Sequence, residues 1–135
     1  MAIQLSVAVR NARLDALETV AGTAPKLRLY SGTQPANCAA AASGTLLREI
    51  TLPSDWMSAA SAGSKALAGS WTDSSAGTAG TAGHYRVMDS TGATCHEQGT
   101  VTITGSGGDL TLDNNVIAAS QTITITSWTK TDGNA

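Results

Sequence analysis

The C-terminal third of the chain, residues 95–128, alternates apolar and polar residues with a period of two. Val101 and Ile103 fall on one side of an extended chain, and the threonines around them fall on the other side. The same alternation returns over residues 109–113 and 122–126. Glycine and asparagine, which tolerate turn conformations, separate these segments. The pattern predicts consecutive antiparallel strands, each with one buried face.

Two further strands are predicted nearer the N-terminus. Residues 26–30 alternate so that Tyr30 is expected to point outward, away from the two leucines of the segment. Residues 46–52 place Leu46 and Ile50 together on the inward face. The proline that follows ends this strand, because it cannot donate a ladder hydrogen bond.

A hairpin is predicted between residues 84–88 and 94–98, because the sequence Asp-Ser-Thr-Gly that follows the first segment favours a tight turn. Residues 58–83 consist largely of alanine, glycine, serine and threonine, which indicates a surface loop, interrupted by a weak strand over 65–71. All segments together predict about eight short strands. The expected fold is mainly β, an antiparallel β-sandwich or jelly roll with one N-terminal α-helix.

The helix is predicted over residues 6–21, where apolar residues recur at spacings of three and four. Arg10, Arg13 and Glu18 leave its opposite side polar. The apolar stripe either docks on another subunit or packs on the sheet of its own protomer, and we favour the second interpretation. The stripe consists of Leu5, Val9, Ala12, Ala16 and Val20.

Length and charge limit the possible classes of function. At 135 residues the chain has the size of one domain, with a helical segment over 1–24 and a β region over 25–135. Only 13% of the residues are charged and the eight basic residues are scattered, which argues against a nucleic-acid partner. No apolar run approaches the roughly 18 residues of a membrane span, and no signal-peptide pattern is visible. Neither a membrane nor a nucleic acid is an expected partner.

The supply of large apolar side chains is small. The chain has three Trp, two Tyr and no Phe, so its core must be built mainly from Val, Ile, Leu and Ala. A thin core gains stability when subunits bury additional surface between them. We therefore expect a homo-oligomer with closed symmetry, either a dimer or a trimer.

No residue pattern for catalysis or cofactor binding is found. Cys38, Cys95, His84 and His96 lack the spacing of a zinc site, and adjacent residues 95 and 96 would point to opposite faces of a strand. Cys38 and Cys95 are able to form a disulfide, but free thiols are favoured for a cytosolic protein. We expect no metal, no cofactor and no enzymatic activity.

Exposed aromatic residues would offer a different kind of site. Trp128 falls on the threonine side of its predicted strand, and Tyr30 is also expected to point outward. Together they would provide a surface on which a sugar ring stacks. Most aromatic residues of such a chain are nevertheless expected to anchor the core.

Framework segments along nearly the whole chain carry a family resemblance. They are VAVRNARLDA at 7–16, LRLYSG at 27–32, PANC at 35–38, GTLL at 44–47, LPSDW at 52–56, AGTAGHYR at 79–86, LTLDN at 110–114 and ITITSW at 123–128. These segments resemble small proteins encoded among the virion structural genes of tailed bacteriophages. None of them is a catalytic motif.

The resemblance implies a non-enzymatic structural protein of the virion, made in the host cytoplasm. Within that group, a β-sandwich cement or decoration protein on the capsid exterior fits a small, weakly charged domain. Its partners would be itself, as homodimer or homotrimer, and the major capsid protein. The alternative is a receptor- or glycan-binding module of a head or tail fibre. The candidate interface residues are Leu5, Val9, Ala12, Ala16, Val20, Tyr30 and Trp128.

Overall fold

The computed structural model describes residues 3–133. Within that range the chain forms one α-helix and ten β-strands, so a mainly β fold with one N-terminal helix is confirmed. The helix α1 spans Val7–Ala21. The strands are β1 (Lys26–Ser31), β2 (Leu46–Thr51), β3 (Ser64–Ala66), β4 (Trp71–Asp73), β5 (Gly80–Met88), β6 (Cys95–Ile103), β7 (Leu110–Leu112), β8 (Val116–Ile117), β9 (Ile123–Ile125) and β10 (Thr129–Thr131).

The main sheet contains six strands, of which five follow the order β2-β1-β5-β6-β7. The sixth, β8, pairs with the beginning of β5. Two small antiparallel sheets, β3 with β10 and β4 with β9, complete the architecture. The predicted hairpin is confirmed as β5 and β6, which pair antiparallel from His84 opposite Thr100 to Met88 opposite Cys95. Because β5 lies between β1 and β6, it is the central strand of the sheet.

The strands β6 and β7 run parallel, so the prediction of a purely antiparallel sheet is wrong. Val101 lies beside Leu110, and the glycine-rich segment 104–109 brings the chain back instead of forming a hairpin. The carboxylate of Asp109 fixes this return, because it accepts hydrogen bonds from the backbone N–H and the hydroxyl of Thr100, both at 2.9 Å. A period of two identifies strands, but it does not specify their partners or directions.

The predicted loop over residues 58–83 contains regular structure. Strands β3 and β4 lie within it, and β5 begins at Gly80. The weak strand expected over 65–71 is in fact two strands, which separate near Gly69, where φ is +70°. Their partners β10 and β9 are distant in sequence. Small polar residues are therefore ordered here by remote partners that composition does not reveal.

The core contains side chains from the main sheet and from β4 and β9. Its centre is a cluster of four buried aromatic side chains, Trp56, Trp71, Tyr85 and Trp128. The ring of Trp71 lies 6.0 Å from that of Trp56 and 5.2 Å from that of Trp128, and Tyr85 lies 5.6 Å from Trp128. Tilted and edge-to-face ring pairs stabilise a core beyond the area that they bury. A chain with few aromatic residues thus concentrates most of them at one point.

The burial of Trp128 overturns its predicted orientation. The side chain is only 4% exposed, and its indole N–H donates a hydrogen bond of 3.1 Å to the carbonyl oxygen of Asp109. Strand β9 ends at Ile125, so the alternation that placed Trp128 beside the threonines does not extend to it. Trp128 therefore belongs to the core.

The predicted exposures of Tyr30 and Leu46 are also wrong, for two different reasons. The register shifts between Leu29 and Tyr30, which makes Leu47 an extra residue on β2. Tyr30, expected to point outward, is only 5% exposed, and its ring stacks 5.1 Å from that of His84. Leu46, expected to point inward, is 39% exposed, and Leu47 is buried instead. The bulge therefore inverts the alternation at Leu46 and Leu47 without a mark in the sequence. Tyr30 remains on the same side of β1 as Arg28, and the segment of residues 38–42 covers that side.

Two segments near opposite ends of the described chain meet beside α1. Arg10 Nε donates a hydrogen bond of 2.6 Å to the carbonyl oxygen of Asp132. The Nε of Arg13 lies 3.2 Å from the Asp132 carboxylate. The backbone N–H of Asp132 donates to the carbonyl oxygen of Gly63 at 2.9 Å. The segment that follows β10 is therefore fastened to the first half of the helix.

Candidate functional site

The helix α1 presents its predicted apolar stripe to the outside. Val9 is 46% exposed and Val20 is 64% exposed, and Ala12 and Ala16 between them are exposed as well. Leu5, which precedes the helix, is half-buried. The favoured interpretation, in which the stripe packs on its own sheet, is therefore wrong. Val9, Ala12, Ala16 and Val20 are called the outer face of α1 from here on.

The opposite side of α1, which its charged residues mark as polar, faces the rest of the protein. Leu14 and Ala21 are buried there. One turn before Leu14, the side-chain oxygen of Asn11 accepts a hydrogen bond of 2.9 Å from the backbone N–H of Gly63. An analysis of periodicity assigns polar residues to solvent, whereas here they have specific partners. This difference explains why the sequence placed the wrong face of the helix inside.

The centre of this inner face is an ion cluster around Lys65 of β3. The Lys65 side chain is 1% exposed, and its ammonium lies 2.5 Å from Asp15 and 2.8 Å from Glu18, one helical turn apart on α1. Burial acts to lower the pKa of Lys65, but its hydrogen bonds to Asp15 and Glu18 outweigh that effect and the pKa is raised. The hydrogen bond from Lys65 also holds the pKa of Asp15 below its ordinary value. Lys65 and Asp15 are therefore both charged at neutral pH.

Both ends of the helix are fixed as well. The side chain of Ser6 accepts a hydrogen bond of 3.2 Å from the backbone N–H of Val9, as an N-cap does. At the other end Gly22 has φ +79°, and its N–H donates to the carbonyl oxygen of Glu18 at 2.9 Å. The carbonyl oxygen of Gly22 accepts a hydrogen bond of 3.1 Å from the indole of buried Trp56. The outer face is consequently carried by an anchored helix.

A second buried cation, Arg48 of β2, holds a turn that follows β8. Its Nη2 donates to the carbonyl oxygens of Ala118 at 2.7 Å and of Ala119 and Gln121 at 3.0 Å. The Nε lies 3.8 Å from the Asp73 carboxylate, which is close enough for an ion pair but too far for a hydrogen bond. A guanidinium presents several donors in a fixed plane, which suits this set of oxygens.

A third buried cation, Arg86 of β5, holds the segment between β1 and β2. Its Nη2 donates to the carbonyl oxygens of Cys38 at 2.6 Å and Ala40 at 3.0 Å. Its Nε donates to the sulfur of Cys95 at 3.2 Å. Arg86 therefore contacts both cysteine residues, and both line one cleft, so the structure brings the two cysteines near each other, which the sequence did not establish. Both are free thiols.

A cleft of about 580 Å³ has a polar lining whose charged groups are paired with one another. Glu97 accepts a hydrogen bond of 2.6 Å from the Tyr85 hydroxyl, and its other oxygen lies 2.6 Å from the ammonium of Lys130. That ammonium lies 5.1 Å from the ring centre of Trp128. Burial, followed by the charge of Glu97, raises the pKa of Tyr85, so its hydroxyl remains a donor. These contacts stabilise the fold and keep the Tyr85 hydroxyl protonated.

Within residues 3–133, no group of three or more His, Cys, Asp or Glu side chains is arranged to hold a metal ion. His84 is fully buried, with Nδ1 3.0 Å from the carbonyl oxygen of Gly32. In the same range no helix has the length and apolar character needed to cross a membrane. No family model, curated protein or solved structure matches the chain.

Sequence reasoning missed the three buried cations. Arg86 lies in the run from His84 to Met88, whose residues are all buried because neighbouring elements cover both faces of β5. Polar and apolar residues alternate from His84 to Val87, so the sequence gives no signal that both faces of β5 are covered. Lys65 and Arg48 stand among small or alternating residues, and nothing in their neighbourhoods marks them as buried.

Proposed function

We propose that this protein is a non-enzymatic structural component of a tailed-bacteriophage virion. In this role it is a cement or decoration protein that binds major capsid subunits on the capsid exterior. The observation that carries the proposal is the outer face of α1, an apolar surface exposed on a helix that is anchored at both ends and by Lys65. The resemblance of the framework segments to virion structural proteins supports it.

The outer face has the properties of a docking surface. Its residues are alanine and valine, whose short side chains lose little conformational entropy on burial. The fixed helix also reduces the entropy that binding would otherwise cost. Burying the exposed parts of Val9 and Val20 contributes about 1 kcal/mol for each residue, so one contact is weak. Many copies on a capsid lattice gain by multivalency what a single contact lacks.

The proposal includes a homodimer or homotrimer, because closed symmetry presents the same face two or three times to a symmetric shell. It also includes a β-sandwich arrangement, in which the small sheet β4/β9 forms a layer against the main sheet across their shared core. The core cluster, which joins residues of the main sheet with Trp71, Ile123 and Ile125, supports two layers.

The glycan-binding alternative depended on exposed aromatic rings. The structure buries all three Trp and both Tyr residues, each to 5% exposure or less. Neither Tyr30 nor Trp128 offers a ring face for stacking, so the expected sugar platform is wrong. No other observation favours this function.

The test uses capsids of the phage that encodes the protein, stripped of the native copy and mixed with purified variants. Val9→Asp places a charge in the outer face and should reduce capsid binding at least about tenfold, because the carboxylate must be desolvated at the contact. Val116→Asp is the matched control, since Val116 is 57% exposed and lies on β8, away from the helix. This control should bind like the wild type.

The same experiment can contradict the proposal at two levels. If the protein is missing from purified virions by mass spectrometry, the virion role is wrong. If the protein is present but Val9→Asp and Val116→Asp bind equally well, the role survives and the outer face is not the contact. Light scattering at micromolar concentration tests the oligomer separately, and a monomeric wild type would refute it.

A further inference from the structure

Cys38 and Cys95 are distant in sequence but meet beside the main sheet. Cys95 begins β6, and Cys38 lies in the segment that joins β1 to β2. Both thiols are half-buried and line a cleft of about 300 Å³, so small solutes have access to them. We propose that Cys38 and Cys95 form a redox-active pair, which closes to an intramolecular disulfide when the protein meets an oxidised low-molecular-weight disulfide.

Arg86 makes the two thiols chemically unequal. Its Nε–H points at the sulfur of Cys95, at 3.2 Å, so a thiolate formed there faces a cation at hydrogen-bond distance. The Arg86 Nη2 instead binds the backbone carbonyl of Cys38 and leaves that thiol without such a donor. Burial, followed by the hydrogen bond to Cys95, raises the pKa of Cys38 to about 11. Cys95 is therefore the attacking group and Cys38 the resolving group.

The reaction is two successive thiol–disulfide exchanges, with oxidised glutathione as the oxidant. The Cys95 thiolate first attacks one sulfur of oxidised glutathione, forms a mixed disulfide and releases one glutathione thiolate. Cys38 then loses its proton to solvent and attacks the Cys95 sulfur, which releases the second glutathione. Two protein thiols are oxidised and one glutathione disulfide is reduced to two thiols, so electrons and protons balance.

Closure would add a covalent link to a network of hydrogen bonds. At present the backbone around Cys38 is held by the two Arg86 contacts to Cys38 and Ala40 and by the bond from the Gln98 side chain to the carbonyl oxygen of Pro35, at 2.6 Å. A disulfide to Cys95 would fix this segment to β6 on leaving a reducing cytoplasm. The proposal is independent of a virion role, because it depends only on the contacts of these side chains.

The experiment incubates the purified full chain with oxidised glutathione at neutral pH, then blocks remaining thiols with N-ethylmaleimide in denaturant and measures intact mass. The wild type should lose two hydrogens, remain monomeric in covalent mass and take up no maleimide. Cys38→Ser should stop at a single glutathione adduct on Cys95. Cys95→Ser should form its adduct on Cys38 at least about tenfold more slowly. The oxidised wild type should unfold at a temperature higher by roughly 10 °C.

Three results would overturn the inference. The first is a wild type that keeps two alkylated thiols or carries two glutathione adducts, since the sulfurs would then not reach each other. The second is a disulfide-linked dimer in place of the monomer. The third is equal adduct formation by the two single variants, which would remove the role assigned to Arg86.

Discussion

Lys65 and Arg48 are both nearly fully buried cations that fasten a peripheral element to the β structure, but their acceptors differ. Lys65 holds α1 through two carboxylates, Asp15 and Glu18. Arg48 holds the turn of residues 118–121 mainly through backbone carbonyl oxygens. Carboxylates lose their charge in acid, whereas carbonyl groups do not titrate. A buried cation holds both elements, but acid is expected to weaken the attachment of the helix and not the attachment of the turn.

The two sites also differ in what remains when the cation is removed. Asp15 is 47% exposed, so its carboxylate can be hydrated in the absence of Lys65. The Arg48 side chain is buried, and its loss leaves the Asp73 carboxylate, whose side chain is only 12% exposed, without its cation. It also removes one donor from each of four carbonyl oxygens, of which those of Ala118 and Ala119 keep a backbone donor. The cost of an unpaired polar group depends on its access to water. Arg48 should therefore contribute more to stability than Lys65.

The largest effect is expected for Arg48→Met. The substitution keeps much of the side-chain volume but removes the guanidinium donors to residues 118–121 and the cation beside Asp73, so the free energy of unfolding should fall by about 3 kcal/mol. Urea denaturation followed by tryptophan fluorescence measures it. Arg13→Met is the control, because Arg13 is 60% exposed and its pair with Asp132 should contribute less than about 1 kcal/mol. Equal losses in the two variants would contradict the role of the buried carbonyl cluster.

Lys65→Met should have the next largest effect, a loss of about 1 to 2 kcal/mol. Asp15 and Glu18 both lose their partner in this variant, but hydration of the two carboxylates offsets part of the lost free energy. Lys26→Met is the matched control, since Lys26 pairs with Glu49 at 2.9 Å in a more exposed position and should lose less than about 1 kcal/mol. Differential scanning calorimetry compares the variants. A Lys65 variant as stable as the wild type would show that apolar contacts alone hold the helix.

Acid should weaken the helix attachment selectively. The pKa of Asp15 lies below its ordinary value of 3.8 in the folded protein, so its stabilising contribution is complete above about pH 3.8 and is lost as the pH falls through the folded value. The pKa of Lys65 is raised above 10.5, so its contribution is lost only as the pH rises beyond that value. The attachment is therefore strongest between these limits.

The measurement compares the free energy of unfolding of the wild type with that of Lys65→Met between pH 5 and pH 2.5. Acidic residues that titrate in both proteins, such as Glu49 and Asp109, contribute equally to both values and cancel in the difference. This difference should shrink as the pH falls. If the difference in free energy of unfolding stays constant, protonation of Asp15 does not weaken the attachment of α1.

The smallest change in stability is expected on the outer face. Val9→Asp should alter the free energy of unfolding by less than about 0.5 kcal/mol, since Val9 is exposed and an acidic residue is favourable in the first turn of a helix. Leu14→Asp is the contrasting variant on the inner face, where burial of an unpaired charge should unfold the helix segment. Far-ultraviolet circular dichroism during denaturation checks both. A strongly destabilised Val9→Asp would show that the outer face is packed within the protomer.

The sequence was sufficient for features that depend on neighbours along the chain. The helix at residues 6–21 and the hairpin of β5 and β6 were predicted because caps, turn residues and periodicity are local. The parallel pairing of β7 with β6 was not predicted, because the contacts of Asp109 that return the chain depend on the third dimension. The same holds for the bulge that exposes Leu46 and for the segment of residues 38–42 that covers Tyr30.

The sequence predicted which residues form the outer face of α1, but it did not predict that this face is exposed. Val9, Ala12, Ala16 and Val20 were identified as one stripe, yet their burial was expected on the wrong side. The deciding contacts come from Lys65, Gly63 and Asp132, which are 47 or more positions away from the residues that they hold. Hydrophobic periodicity contains no information about such partners.

The contacts of Arg10 and Arg13 with Asp132 have a consequence for the connectivity of the chain. Since they hold the first half of α1 beside the segment after β10, a short linker that joins residue 133 to the residues before α1 should close this part of the backbone into a ring without displacing α1 or β10. New termini could then be opened in the exposed turn at Ser90 and Thr91, between β5 and β6. Such a circular permutant should keep the arrangement of its strands. A cargo protein attached before α1 and one attached after β10 would leave the molecule from the same side.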